Sequence, residues 1–185
     1  TEINSVTDNP LIFDKKDKII SGGNFHGQPL SLTIDFLKLS ISELGNISER
    51  RTFNLMSGKR GLPIFLTDKP GIYSGLMILQ YTAASLVSSN KQLSTPASID
   101  SITSSNGQED HVSMGANGAN QLSSIINNVY DVLSIELISA CQAKEFNNHK
   151  TSKELKNLIM EVRKLSKKVI KDRALYKDIK KISEF

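Results

Sequence analysis

The chain has 185 residues, 38% hydrophobic and 23% charged, with a mean hydropathy of -0.23. No apolar run approaches the ~20 residues that span a bilayer, which excludes a membrane-spanning helix. The net charge of +4 is lopsided, with 12 Lys or Arg against four Asp or Glu in residues 150–181, but Leu155, Ile159, Val162, Leu165 and Val169 recur there at helical spacing. The lysines therefore read as the solvated face of an amphipathic helix. Base-stacking aromatics are missing around them, so no nucleic-acid partner is expected.

The single cysteine, Cys141, has no intrachain disulfide partner, and the opening residues lack the basic-then-apolar order of a signal peptide. A cytoplasmic setting is the expectation. One domain over 1–185 is the expected count, made of an entry hairpin or loop (1–25), core helices (26–149) and basic amphipathic tail helices (150–185). Thr1 in place of Met reads as a cut end.

In chain order, residues 9–23 read as a short hairpin or extended loop, with Leu11-Ile12-Phe13 and Ile19-Ile20 separated by D-K-K-D-K. Leu30, Ile34, Leu37, Ile41 and Leu44 step by four and three, and Leu32, Phe36 and Leu39 widen the stripe. This predicts a broadly buried helix to about Met56, interrupted only mildly at Gly45 and followed by a loop, S-G-K-R-G-L-P. A second helix is expected from after Gly71 to about Asn90, with Ala83, Ala84 and Ser85 permitting close approach of a neighbour. Turn formers fill Thr95 to Gly107. The longest helix is expected from Val112 or Ser113 to about Glu145, carried by Leu122, Ile126, Val129, Leu133, Leu137 and Ala140. N-N-H-K-T-S is a break, after which Thr151 or Ser152 can cap the basic helix. The fold class is all-α: a bundle of long helices with a short β-hairpin or extended segment near the N-terminus.

Two islands stand out from this helical pattern, S-G-G-N-F-H-G-Q-P (Ser21–Pro29) and Q-E-D-H-V-S-M-G (Gln108–Gly115). Gly22-Gly23 permits backbone geometry closed to other residues and leaves Phe25 and His26 at a helix entrance. Glu109, Asp110 and His111 are consecutive and cannot share one helix face, so at most one or two of them serve a ligand. Glu109 could equally accept backbone N–H bonds at the start of the long helix. Three scattered histidines and one cysteine without paired spacing predict no metal site, and no Walker loop or dinucleotide fingerprint is present.

N-S-V-T-D-N-P-L-I-F, S-G-G-N-F-H-G-Q-P, S-E-L-G-N-I-S-E-R-R, S-G-L-M-I-L-Q-Y-T-A-A-S-L-V, P-A-S-I-D-S-I and Q-E-D-H-V-S-M-G, in this order, resemble the histidine ammonia-lyases of the aromatic amino acid lyase family. The resemblance runs from about Asn4 to about Gln142. It implies non-oxidative deamination of L-histidine to trans-urocanate by a homotetramer whose active sites combine several subunits. It also implies an electrophilic methylidene-imidazolone made from an internal Ala-Ser-Gly. That tripeptide is absent from the 185 residues, and the family order puts it upstream, so the chain reads as a C-terminal part that is inactive alone.

By the same resemblance Phe25 is a pocket ring, Glu109 the carboxylate near the substrate imidazole (base or anchor), and Met77 a pocket-lining residue. Gln108 and His26 are candidate site neighbours. As residues, His26 and His111 could act as bases, but fixing local structure through a hydrogen bond is the favoured reading of both. The loop before Q-E-D departs from the family: T-S-S-N-G replaces P-T-S-A-N, and Asn106-Gly107 favours a tighter turn. A phenylalanine or tyrosine ammonia-lyase or aminomutase is the nearest rival, and a non-catalytic helical oligomerisation module the rival of another class. Glu109 separates the first, since enzymes acting on other aromatic amino acids usually carry an uncharged residue there.

Overall fold

The computed structural model describes residues 1–22 and 24–185; Gly23, half of the Gly22-Gly23 pair, lies outside them. The elements are β1 (Leu11–Phe13), β2 (Lys18–Ile20), α1 (Gln28–Leu55), α2 (Met77–Leu93), α3 (Gly115–Lys144), α4 (Lys153–Leu165) and α5 (Tyr176–Ser183). The expected helical class with one short hairpin is what the chain adopts. It forms two compact units, Thr1–Ser40 with Leu93–Ser124 and Ile41–Gln92 with Ile125–Phe185.

In the first unit, β1 and β2 pair antiparallel with Leu11 opposite Ile20 and Phe13 opposite Lys18. The base of the hairpin is closed by Asn9, whose side-chain oxygen accepts the Gly22 amide at 3.0 Å and the Ser21 hydroxyl at 3.2 Å. The interior is organised by charge. Lys38, fully buried, donates to Asp35 at 2.7 Å, to the Thr95 carbonyl at 2.8 Å and to the Gln121 side chain at 2.6 Å. Asp35 in turn accepts the amides of Ala97 (3.1 Å) and Ser98 (2.8 Å), and Gln28 donates to the Ser98 carbonyl at 2.8 Å. A buried ammonium has three protons to place and all three are placed. Burial pushes the Asp35 carboxyl up, but the bonds from Lys38, Ser98 and Ala97 outweigh it and hold it well below the ordinary carboxylate range.

The second unit has the ordinary apolar interior. Leu66, Leu76, Ala83, Val132, Ile135 and Ile138 are essentially inaccessible, and the tail contributes Val162, Leu175, Ile179 and Ile182 to the same cluster. Gly45 leaves α1 unbroken and lets α3 approach closely: a Cβ there would lie 3.2 Å from Val129 Cγ2. At 1% exposure, Gln142 works as a buried clasp, donating to the carbonyls of Leu66 (3.2 Å) and Val169 (2.8 Å) and accepting the Val169 amide at 3.2 Å.

Three expectations shift. The apolar stripe of α1 is only partly covered: Leu30, Ile34 and Ile41 are half-buried, whereas Leu32, Phe36, Leu37, Leu39 and Leu44 are exposed, with Phe36 at 72%, and Ser31, Asp35, Lys38, Ser42, Ser48, Glu49 and Thr52 are among the buried residues. Small side chains allow close approach here and the Asp35–Lys38 charges are paired, while the buried hydroxyls of Ser31 and Thr52 have no hydrogen-bond partner among the described residues. Helix α2 starts at Met77, later than Gly71, because the preceding amides bond elsewhere and Gly75 is left-handed (φ 56°). Helix α4, capped by Ser152 accepting the Leu155 amide at 3.3 Å, stops at Leu165. Val169 continues the apolar spacing, but its backbone is committed to Gln142.

Candidate functional site

The approach to the first island is held at both ends. Asn24 donates its side-chain amide to Glu2 at 2.7 Å, and Gly27 takes a left-handed conformation (φ 76°) that turns the chain into α1. Phe25, next to Asn24, remains 54% exposed. His26 is half-buried and crosses to the second island. Its Nε2–H donates to the His111 carbonyl at 2.6 Å, and the two imidazoles stack with centroids 4.7 Å apart. Since a carbonyl only accepts, this bond assigns the proton to Nε2 and leaves Nδ1 as an acceptor in the neutral ring. Ser113 closes the junction by donating its hydroxyl to the His26 carbonyl at 2.5 Å.

The second island rests on a tight turn. Ser105, Asn106 and Gly107 all have positive φ (52°, 52° and 90°). Ser104 and Glu109 exchange backbone bonds across it, 2.9 Å from the Ser104 amide and 3.3 Å from the Glu109 amide. The Asn106-Gly107 turn is thus as tight as its sequence predicts, and it presents Gln108 and Glu109 on one limb. Further along, the Val112 amide donates to the Ser101 hydroxyl at 2.9 Å. Helix α3 begins at Gly115, later than expected.

Phe25, His26, Gln108 and Glu109 therefore all belong to the first unit, and His26 links the two islands directly. Met77 is the first residue of α2 in the second unit. Glu109 is exposed and lies six residues before α3, so it caps no helix, and among the described residues its carboxylate has no hydrogen-bond or ion-pair partner. The Gln108 side-chain amide is likewise uncommitted among them. A free carboxylate next in sequence to a free amide can bind a polar heterocycle by hydrogen bonds and can accept a proton from it. Among the described residues no group of three His, Cys, Asp or Glu side chains could hold a metal ion.

Sequence reasoning missed Ser101, Ser113 and the Asp35–Lys38 pair, which together anchor both ends of the loop bearing Glu109. The pair left a signal: Ser31, Asp35 and Lys38 are themselves spaced by four and three, a second stripe at helical period.

Residues 1–164 match the model of the aromatic amino acid lyase family. The chain is 52% identical to a histidine ammonia-lyase of Treponema denticola over 99% of its own length. Among solved structures it is similar to the histidine ammonia-lyase of Trypanosoma cruzi (TM-score 0.92, 42% identity, 98% of this chain) and to the tyrosine aminomutase of Streptomyces globisporus (TM-score 0.91, 34% identity, 98% of this chain). It spans 37% of the first of these proteins, 36% of the second and 35% of the third. The two islands, the helical scaffold and the family match agree, and the chain belongs to the aromatic amino acid lyase family.

Proposed function

We propose that this chain is part of a histidine ammonia-lyase, which removes ammonia from L-histidine without oxidation and leaves trans-urocanate. The observation that carries the proposal is Glu109, an unpartnered carboxylate fixed on a tight turn. In support, identity is higher to the histidine ammonia-lyase of Trypanosoma cruzi (42%) than to the tyrosine aminomutase (34%).

The reaction is hard because ammonium leaves poorly and the β-proton of histidine is weakly acidic. Glu109 accepts a hydrogen bond from the substrate imidazole or takes a proton from the substrate, and Phe25 packs against it; Met77 is read as a pocket-lining residue of the whole lyase. Gln108 supplies an amide beside Glu109, and His26 holds the two islands in register through His111 and Ser113. The 185 residues contain no Ala-Ser-Gly, so the methylidene-imidazolone of such a lyase would be made elsewhere in the whole protein. The exposed Phe25 ring and the uncommitted Gln108 amide fit as wall and donor beside it. When bound, that group supplies the electrophile that converts the amine into a leaving group.

The outward apolar residues of α1, Leu32, Phe36 and Leu39, support self-association of the whole lyase as a homotetramer. No helix among the described residues is long and apolar enough to cross a membrane, and we place the whole lyase in the cytoplasm.

Urocanate formation, followed by its ultraviolet absorbance, tests the reading. The whole lyase is expected to turn over L-histidine, Glu109→Gln to lower kcat by roughly 10²-fold or more with folding unchanged, and the 185-residue chain alone to be silent. Deamination of tyrosine or phenylalanine in place of histidine would move the chain to that branch of the family. No turnover of any of them would make it a non-catalytic helical module.

A further inference from the structure

The turn leading into α2 is fixed from an unexpected direction. Gly75 has φ 56°, and a Cβ on it would stand 2.4 Å from the Phe65 carbonyl oxygen, which the Leu76 amide bonds at 2.9 Å. Only glycine fits there. The amides of Ser74 and Gly75 precede the helix and have no partner within it. Both are taken by Asp172, from the basic tail: Oδ2 accepts Ser74 and Oδ1 accepts Gly75, each at 2.9 Å and 98 and 97 residues away in sequence. Two oxygens on two consecutive amides set the orientation of the turn as well as its position. Charge-assisted bonds of this kind are about twice as strong as neutral ones. Two residues beyond Gly75 comes Met77, whose own amide bonds the Ser74 carbonyl at 3.1 Å.

Asp172 is itself held. Arg173 makes a two-pronged pair with Asp178 (3.0 and 2.7 Å) and donates to the Lys167 carbonyl at 3.1 Å, while Leu175 and Ile179 are buried in the apolar core. The family match ends at residue 164, so this device lies in the part of the tail beyond it.

We infer that Asp172 is a positioning residue for substrate binding, acting through the Ser74–Gly75 turn to set the place of Met77. The inference rests on the reading of Met77 as a pocket-lining residue. The cationic tail thereby has a role that its lysines do not reveal: its functional group is an acid.

The test is a double-mutant cycle in the whole lyase, with kcat and KM for L-histidine and thermal unfolding measured on Met77→Ala, Asp172→Ala, Asp172→Asn and the Met77→Ala/Asp172→Ala pair. Met77→Ala and Asp172→Ala are each expected to raise KM by roughly fivefold with kcat within about twofold, Asp172→Asn by less, and the pair by no more than Met77→Ala alone. If Asp172→Ala fails to fold, Asp172→Asn and the Met77→Ala/Asp172→Asn pair carry the cycle. An unchanged KM in Met77→Ala would sink the reading of Met77. A raised KM there, with Asp172 variants that lower only the unfolding temperature, would sink the positioning role alone. Multiplication of the two KM effects in the pair would also overturn it.

Discussion

In the first unit the interior is held by Asp35 and Lys38, each bonded to the backbone of residues 95–98, whereas in the second it is held by side chains such as Ile135 and Ile138 that contact many neighbours without direction. The difference matches what each unit carries. On the proposed function, the loop that carries Glu109 gains from bonds that specify distance and angle. Packing alone specifies a loop poorly, because apolar contact tolerates small displacements. Directional order comes with low tolerance, since every member of a buried polar network must keep its partner.

The largest expected effect breaks the charged side of this comparison. Lys38→Met leaves Asp35 buried without its cation and is expected to destabilise by about 3–5 kcal/mol in urea unfolding, with the amides of Ala97 and Ser98 losing protection from hydrogen exchange. On the apolar side, Ile138→Val, at a position 1% exposed, is expected to cost only about 0.5–1.5 kcal/mol. Equal losses from the two substitutions would erase the distinction.

The smallest change at ordinary pH, and the one that sharpens the contrast, is acid sensitivity. Asp35 and Asp178 are both held low. Burial pushes the Asp178 carboxyl up, and Arg173, Ser166 and Lys181 more than reverse it. A carboxyl lowered in the folded state contributes its full stabilisation above the unfolded aspartate value of about 3.9 and loses it as pH falls through the folded value. Stability is therefore expected to be level with respect to these two groups from pH 7 to about 5 and to decline below about 4. Asp35→Asn should flatten that decline for the first unit and Asp178→Asn for the second. A decline unaltered by either would assign it to other groups.

Much of this architecture is legible in sequence, because period 3.6 shows wherever a helix must bury one face, and the glycine- and amide-rich islands interrupt that period visibly. What escapes is settled at long range. Ahead of α2, Asp172 takes the Gly75 amide from 97 residues away, and ahead of α3, Ser101 and the His26 carbonyl take partners from distant parts of the chain. The end of α4 depends on Gln142 claiming Val169. Phe25, His26, Gln108 and Glu109 can be picked out by composition and family resemblance, but the bond from His26 to His111, 85 residues on, exists only in the folded chain. The direction of the α1 stripe escapes for another reason: periodicity says that a face needs cover and is silent on what supplies it.

That outward stripe has a practical side for anyone who wants this piece as a stand-alone reagent. Replacing Leu32, Phe36 and Leu39 with lysine or glutamate would remove the adhesive surface and yield a better-behaved preparation, since none of the three is buried in the chain. The same edits, copied into the whole lyase, would remove the surface proposed to join its subunits. On that proposal dispersal and assembly draw on the same few side chains, so a variant selected for high soluble yield of the piece is a poor guide to the whole.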